Sequence, residues 1–206
     1  MNPTNPSIVY RIVSLIVFPI YRLFFRGKTF GNENVPKHGP LVVVANHGSY
    51  LDPPLLGHVL GRPVSFMAKA ELFQIPFIGK VIRACGAYPV QRGASDRQAI
   101  RLATNRLKEG WATGVFLDGT RQTNGRVNKP LHGASLLSAR SGAFLLPVAI
   151  SNSHRALTPG RIFPRFIPIN IRIGRPIPPP LSRKKNDLEL TTAKLKEEIN
   201  SLLDLD

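Results

Sequence analysis

The sequence predicts an α/β domain with a mixed, largely parallel sheet flanked by helices. Three observations carry this. Short apolar, β-branched runs such as Leu41-Val42-Val43-Val44-Ala45 recur along the chain, and they read as strands buried on both faces. Segments of helical period separate them, which is the order of an α/β fold. Polar side chains stand just past the expected strand ends, where open α/β sheets place their ligands.

The elements follow in chain order. Residues 8–25 form the most apolar stretch, interrupted by Arg11 and Arg22 and broken or kinked at Pro19. A bilayer span needs about 20 apolar residues, so this stretch is not expected to cross a membrane. It reads as a pair of amphipathic half-helices lying in a membrane interface, with Arg11, Arg22, Arg26 and Lys28 at headgroup level. Residues 1–27 are then an interfacial anchor, and residues 28–206 the α/β domain.

Gly31 to Pro40 is a polar loop, and Leu41 to Ala45 the first expected strand. A short helix over 55–60 is stopped by Gly61 and Pro63. A strand over 64–68, a helix over 76–83 and a short strand over 87–90 come next. The clearest amphipathic helix covers 95–109, with Ser95 or Asp96 as cap, an Ile100, Ala103, Leu107 stripe, and Gly110 as stop. Strands over 114–117 and 144–150 flank a helix over 133–140. Residues 166–173 alternate, with isoleucines on one face, and Pro168 favours an edge position. The chain closes with an extended proline-rich segment and an amphipathic helix from Asp187.

Composition narrows the class. Hydrophobic content of 43% and charged content of 19% describe a folded domain. One cysteine, Cys85, excludes an internal disulfide and is compatible with a reducing compartment. The net charge is +16, and six of the 12 acids lie in the last 20 residues. Residues 1–186 therefore hold 26 basic and six acidic side chains, a surface that attracts polyanions. The competing class is a protein without catalysis, one that binds either membrane or nucleic acid. Nucleic-acid binding leaves the apolar N-terminus unexplained, and no recognition motif supports it. No phosphate-binding loop, dinucleotide fingerprint, zinc spacing or Gly-x-Ser-x-Gly elbow is present, so no metal or resident cofactor is expected.

The candidate chemistry centres on Asn46-His47-Gly48-Ser49-Tyr50-Leu51-Asp52, directly after the first expected strand. A turn there lets Asp52 face the His47 imidazole and hold one nitrogen, as a general base requires. Lys69, Arg92, Asp118 and Arg121 also follow expected strands, which assigns them to the same edge as His47 and Asp52.

These segments together resemble the glycerolipid acyltransferase family, specifically its 1-acyl-glycerol-3-phosphate (lysophosphatidate) acyltransferases. His47 to Asp52 resembles the His-x4-Asp motif, and Lys69-Ala70-Glu71-Leu72-Phe73 the Lys-x-Glu-Leu-Phe segment. Gly86 to Arg92 is similar to the arginine-bearing block, Phe116-Leu117-Asp118-Gly119-Thr120-Arg121 to Phe-Pro-Glu-Gly-Thr-Arg, and Leu145 to Ala149 to the last apolar-proline block. Order and spacing match over about residues 28–180.

The resemblance implies acyl transfer from a thioester, on acyl-carrier protein or coenzyme A as co-substrate, to the hydroxyl of a lysophospholipid. His47 would be the base and Asp52 its orienting partner, as in a hydrolase triad, and the substrate hydroxyl makes a Ser49 nucleophile unnecessary. Arg92 and Arg121 are the phosphate ligands by chemistry, with Gly119 and Thr120 adding backbone and hydroxyl contacts and Lys69 facing the oxyanion or the donor's phosphates. Asp118 departs from the family glutamate, as Leu117 does from its proline. Either the acceptor sits differently, or Asp118 orients neighbouring groups without touching substrate. The implied partners are the membrane phospholipid surface, the lysolipid and the thioester carrier, with no nucleic acid. The implied location is peripheral or monotopic, on the cytoplasmic face. The same chemistry on glycerol 3-phosphate or another lysolipid is the alternative.

Overall fold

The computed structural model describes residues 7–90, 96–158, 161 and 163–206. Its centre is a seven-stranded sheet ordered β1-β7-β6-β2-β5-β3-β4. The strands are β1 (Lys28–Phe30), β2 (Leu41–Ala45), β3 (Val64–Lys69), β4 (Tyr88–Val90), β5 (Ala112–Phe116), β6 (Phe144–Ile150) and β7 (Asn170–Ile173). Every neighbouring pair is parallel except β6 and β7, which are antiparallel. The largely parallel sheet read from the sequence is therefore present.

β2 lies between β5 and β6, and its burial on both faces explains its unbroken apolar run. Leu41, Val43 and Ala45 face one core layer, and Val42 and Val44 the other, as the two-residue strand period requires. The first layer holds α2 (Asp52–Val59) through Leu55 and Leu56. The second holds α4 (Asp96–Lys108), α5 (Gly133–Ser141) and α7 (Lys185–Leu203) through Ile100, Leu137 and Leu195. The shorter α3 (Ile78–Ala84) and α6 (Ser153–Ala156) complete the set.

The N-terminal segment is α1 (Ile8–Pro19), passing directly into a π-helical turn, Ile20–Phe24. Ser7 caps α1 by accepting from Tyr10 N at 3.1 Å, and its hydroxyl donates to Ala84 O at 2.7 Å. Pro19 loosens the helical ladder into the π turn without ending the helix, so the expected half-helices are one continuous element. Ile8, Leu15 and Leu23 remain about 70% exposed, while Tyr21 and Phe25 are buried in the first core layer. Tyr21 and Phe25 thus fasten the end of the segment to the α/β core. No helix among the described residues is long and apolar enough to cross a membrane.

Two expectations need correction. The alternating segment becomes a strand only at Asn170, and β7 lies between β6 and β1, not at an edge. Pro168 precedes the ladder, which reconciles a missing N–H with an inner strand. The edge on that side of the sheet is β1, whose three residues are too few to show an alternation.

Candidate active site

The parallel order of β2, β5, β3 and β4 brings their carboxyl ends to one edge. There β2 ends at Ala45, and Asn46 turns inward, 1% exposed. Its amide donates to Gly125 O (2.7 Å) and Ile150 O (2.8 Å), and its Oδ1 accepts from Ile150 N at 2.8 Å. Asn46 therefore ties β2, β6 and the Gly125 loop together beside His47, a role the sequence reading did not assign.

Asp52 opens α2 and is fully buried. Pro53 and Pro54 follow it, and they suit a helix's first turn because they need no hydrogen-bond acceptor there. Asp52 Oδ2 lies 2.8 Å from His47 Nδ1 and accepts from Gly48 N and Ser49 N, each also at 2.8 Å. Two amides and an imidazole thus converge on one carboxylate oxygen. With Nδ1–H directed at Asp52, the His47 Nε2 carries the lone pair. The His47 ring stacks on Phe116, centroids 3.9 Å apart. Ser49 is buried, donating to Leu157 O at 3.3 Å and accepting from Leu51 N at 3.2 Å, so its hydroxyl serves the turn.

The segment after β5 supplies the second half. Gln122 N donates to His47 O at 2.7 Å, fixing this loop to the histidine backbone. Arg121 places its guanidinium carbon 3.8 Å from the centre of the Tyr50 ring. Its Nη1 is buried with no hydrogen-bond partner among the described residues. A buried charged donor left unpaired costs at least about 1–3 kcal/mol, which an anion placed there offsets.

Asp118 is 6% exposed and turns inward. Its oxygens accept from Asn128 N at 3.1 Å and Lys129 N at 2.8 Å. These two bonds close the loop that carries Arg121. Gly119 has a φ of +66°, and a Cβ there would lie 2.9 Å from Leu131 Cδ1. Thr120 is exposed and accepts from Gln122 Nε2 at 3.3 Å. Lys69 ends β3, exposed and without a hydrogen bond or ion pair among the described residues. Arg92 lies outside the described residues, as does the Ser95 cap.

His154 is a neighbour that sequence reasoning missed. A Cβ on Gly48 would lie 2.7 Å from His154 Cβ, and one on Gly125 would lie 2.3 Å from His154 Nδ1. Both loops therefore close onto this one side chain. Burial and the adjacent Arg155 lower the His154 pKa, and Asp52 opposes them. It lies in the one-turn α6, just past the Leu145 to Ala149 block and outside it, in a segment too short to show a helical period.

An imidazole held at Nδ1 by a buried carboxylate, with an unpaired guanidinium nitrogen on the adjoining loop, suits a transferase whose acceptor is a hydroxyl compound carrying an anion. Comparison with known proteins agrees with that class. The family model described as acyltransferase matches residues 28–151, and the chain belongs to this family. It is 26% identical over 175 residues to the 1-acyl-sn-glycerol-3-phosphate acyltransferase of Borreliella burgdorferi, covering 82% of this chain and 68% of that protein. It is 38% identical over 115 residues to a lyso-ornithine lipid O-acyltransferase of Pseudomonas aeruginosa, covering 54% of this chain and 43% of that one. The crystal structure of the 1-acyl-sn-glycerophosphate acyltransferase of Thermotoga maritima matches with a TM-score of 0.80 and 27% identity, covering 94% of this chain and 79% of that chain.

Proposed function

We propose that this acyltransferase moves a fatty acyl group from a thioester to the free hydroxyl of 1-acyl-glycerol-3-phosphate, giving phosphatidate. The observation that carries the reading is the 2.8 Å His47 Nδ1–Asp52 Oδ2 contact at the edge that also bears Arg121. His47 Nε2 takes the hydroxyl proton as the oxygen attacks the thioester carbonyl. Asp52 stabilises the imidazolium that forms. The tetrahedral intermediate collapses with loss of the thiolate, and His47 returns the proton to sulfur. Transfer is direct, with no acyl-enzyme, and Ser49 takes no part.

Arg121 binds the acceptor phosphate through its unpaired Nη1. Arg92 adds a second guanidinium, and Gly119 and Thr120 line the same turn. Lys69 faces the oxyanion or the donor. Asp118 acts through the loop and leaves the substrate to Arg121. The exposed apolar side chains of α1 and its π turn seat the enzyme in the interface of an anionic bilayer on its cytoplasmic side, where the lysolipid resides.

The likeness to the lyso-ornithine lipid O-acyltransferase favours a second acceptor, a lyso-ornithine lipid. The purified protein, given an acyl thioester and either lysophosphatidate, lyso-ornithine lipid or glycerol 3-phosphate, decides between them. The reading predicts phosphatidate as the fastest product. Faster acylation of either other acceptor overturns the acceptor assignment, and no acylation of any acceptor overturns the function.

A further inference from the structure

The outer face of α4 carries a row of cations that the chemistry above does not use. Arg97, Arg101, Thr104, Asn105 and Lys108 fall on one side of the helix, and Arg140 of α5 joins them around a groove of about 360 Å³. The four basic side chains are exposed, and none makes an ion pair or a side-chain hydrogen bond among the described residues. The nearby Glu109 is engaged by Arg106 at 2.8 Å. Arg97 and Arg101 are like charges one turn apart, an arrangement that weakens a helix. The row therefore contributes nothing to the fold that explains it.

We propose that this face docks an acidic acyl-carrier protein, which makes a carrier-protein thioester the donor for the reaction proposed above. Three features point to a protein and away from other anions. First, Arg97 to Lys108 spans about 16 Å of helix, long enough to lie along an acidic helix of a partner. Second, no aromatic side chain among the described residues lines the groove, so the adenine of a nucleotide carrier finds no ring there to stack on. Third, α4 packs on the core layer opposite the one that holds α1. A bilayer seated on the exposed apolar face of α1 leaves α4 turned to water, open to a soluble partner. In sequence, β4 ends at the edge carrying His47, and α4 opens at Asp96. A basic row of this kind steers an acidic partner and weakens with salt.

The test compares wild type with Arg97→Glu/Arg101→Glu and the milder Arg97→Gln/Arg101→Gln, checking folding by circular dichroism. Acylation of lysophosphatidate is measured with acyl-carrier-protein and acyl-coenzyme A donors. In parallel, labelled holo-acyl-carrier protein is titrated by fluorescence anisotropy, and binding to anionic liposomes by sedimentation. The expected result is a KM for the carrier-protein donor raised about tenfold or more in the glutamate variant, less in the glutamine variant. Holo-carrier affinity weakens in parallel, while KM for acyl-coenzyme A and liposome binding stay within about twofold of wild type. Equal loss with both donors, loss of liposome binding, or no change with the carrier protein each overturns the proposal. Absence of turnover by wild type with either donor is a failure of the acyltransfer reading; the anisotropy titration still decides docking.

Discussion

His47 lies face to face on Phe116, with ring centroids 3.9 Å apart and planes 11° from parallel. Asp52 holds the edge of the same ring, and Phe66 stacks behind Phe116 at 5.7 Å. Edge and face together fix where Nε2 points. Phe116→Ala removes the face and keeps the dyad. The expected outcome is a kcat lowered by about 10- to 100-fold, since small displacements of a reacting group cost that much, with little change in KM for either substrate. Steady-state kinetics check this; an unchanged kcat contradicts the positioning role.

Arg121 stacks on Tyr50 and keeps Nη1 unpaired. Arg121→Lys keeps the charge and loses the planar fork. It is expected to raise KM for lysophosphatidate by about 10- to 100-fold, with a much smaller effect on the thioester KM. Equal effects on both substrates place Arg121 elsewhere in the reaction.

Asp118 holds two backbone amides of the loop that follows Arg121. Asp118→Ala leaves both without an acceptor and is expected to cost about 2–3 kcal/mol of stability. Urea unfolding measures it, and limited proteolysis near Asn124 and Gly125 is expected to quicken. Full stability with lost acceptor affinity would instead assign Asp118 to the substrate.

His154 sets a pH dependence. Burial, then Arg155, hold its pKa below the ordinary value, against a smaller opposing pull from Asp52. The unfolded chain binds this proton near pH 6.5, and the folded chain resists it. Stability present above that pH is lost as pH falls through the lowered folded value. The wild-type Tm is therefore expected to drop more between about pH 7.5 and pH 5.5 than the Tm of His154→Gln. His58 is lowered in the same direction but is common to both proteins, so the difference isolates His154. Equal drops contradict the assignment.

Much of this was legible in the sequence because it is local. β2 is apolar over its whole length, α4 carries its stripe at helical spacing, and His47 and Asp52 are five residues apart. What the sequence did not show depends on distant segments meeting. β1 needs β7 beside it, and Asn46 needs Gly125 and Ile150, 79 and 104 residues away. His154 reaches the site only because Gly48 and Gly125 lack side chains that would exclude it. Asp118 was legible as a site residue through its motif, but the direction of its carboxylate depends on how the loop returns to Asn128 and Lys129.

The proposed reaction stands or falls on proton transfer by His47. The most direct measurement is the rate of phosphatidate formation by purified His47→Ala, with circular dichroism and liposome binding as controls. The expected outcome is a loss of about a thousandfold or more, with fold and membrane binding unchanged. Turnover within about twofold of wild type contradicts it.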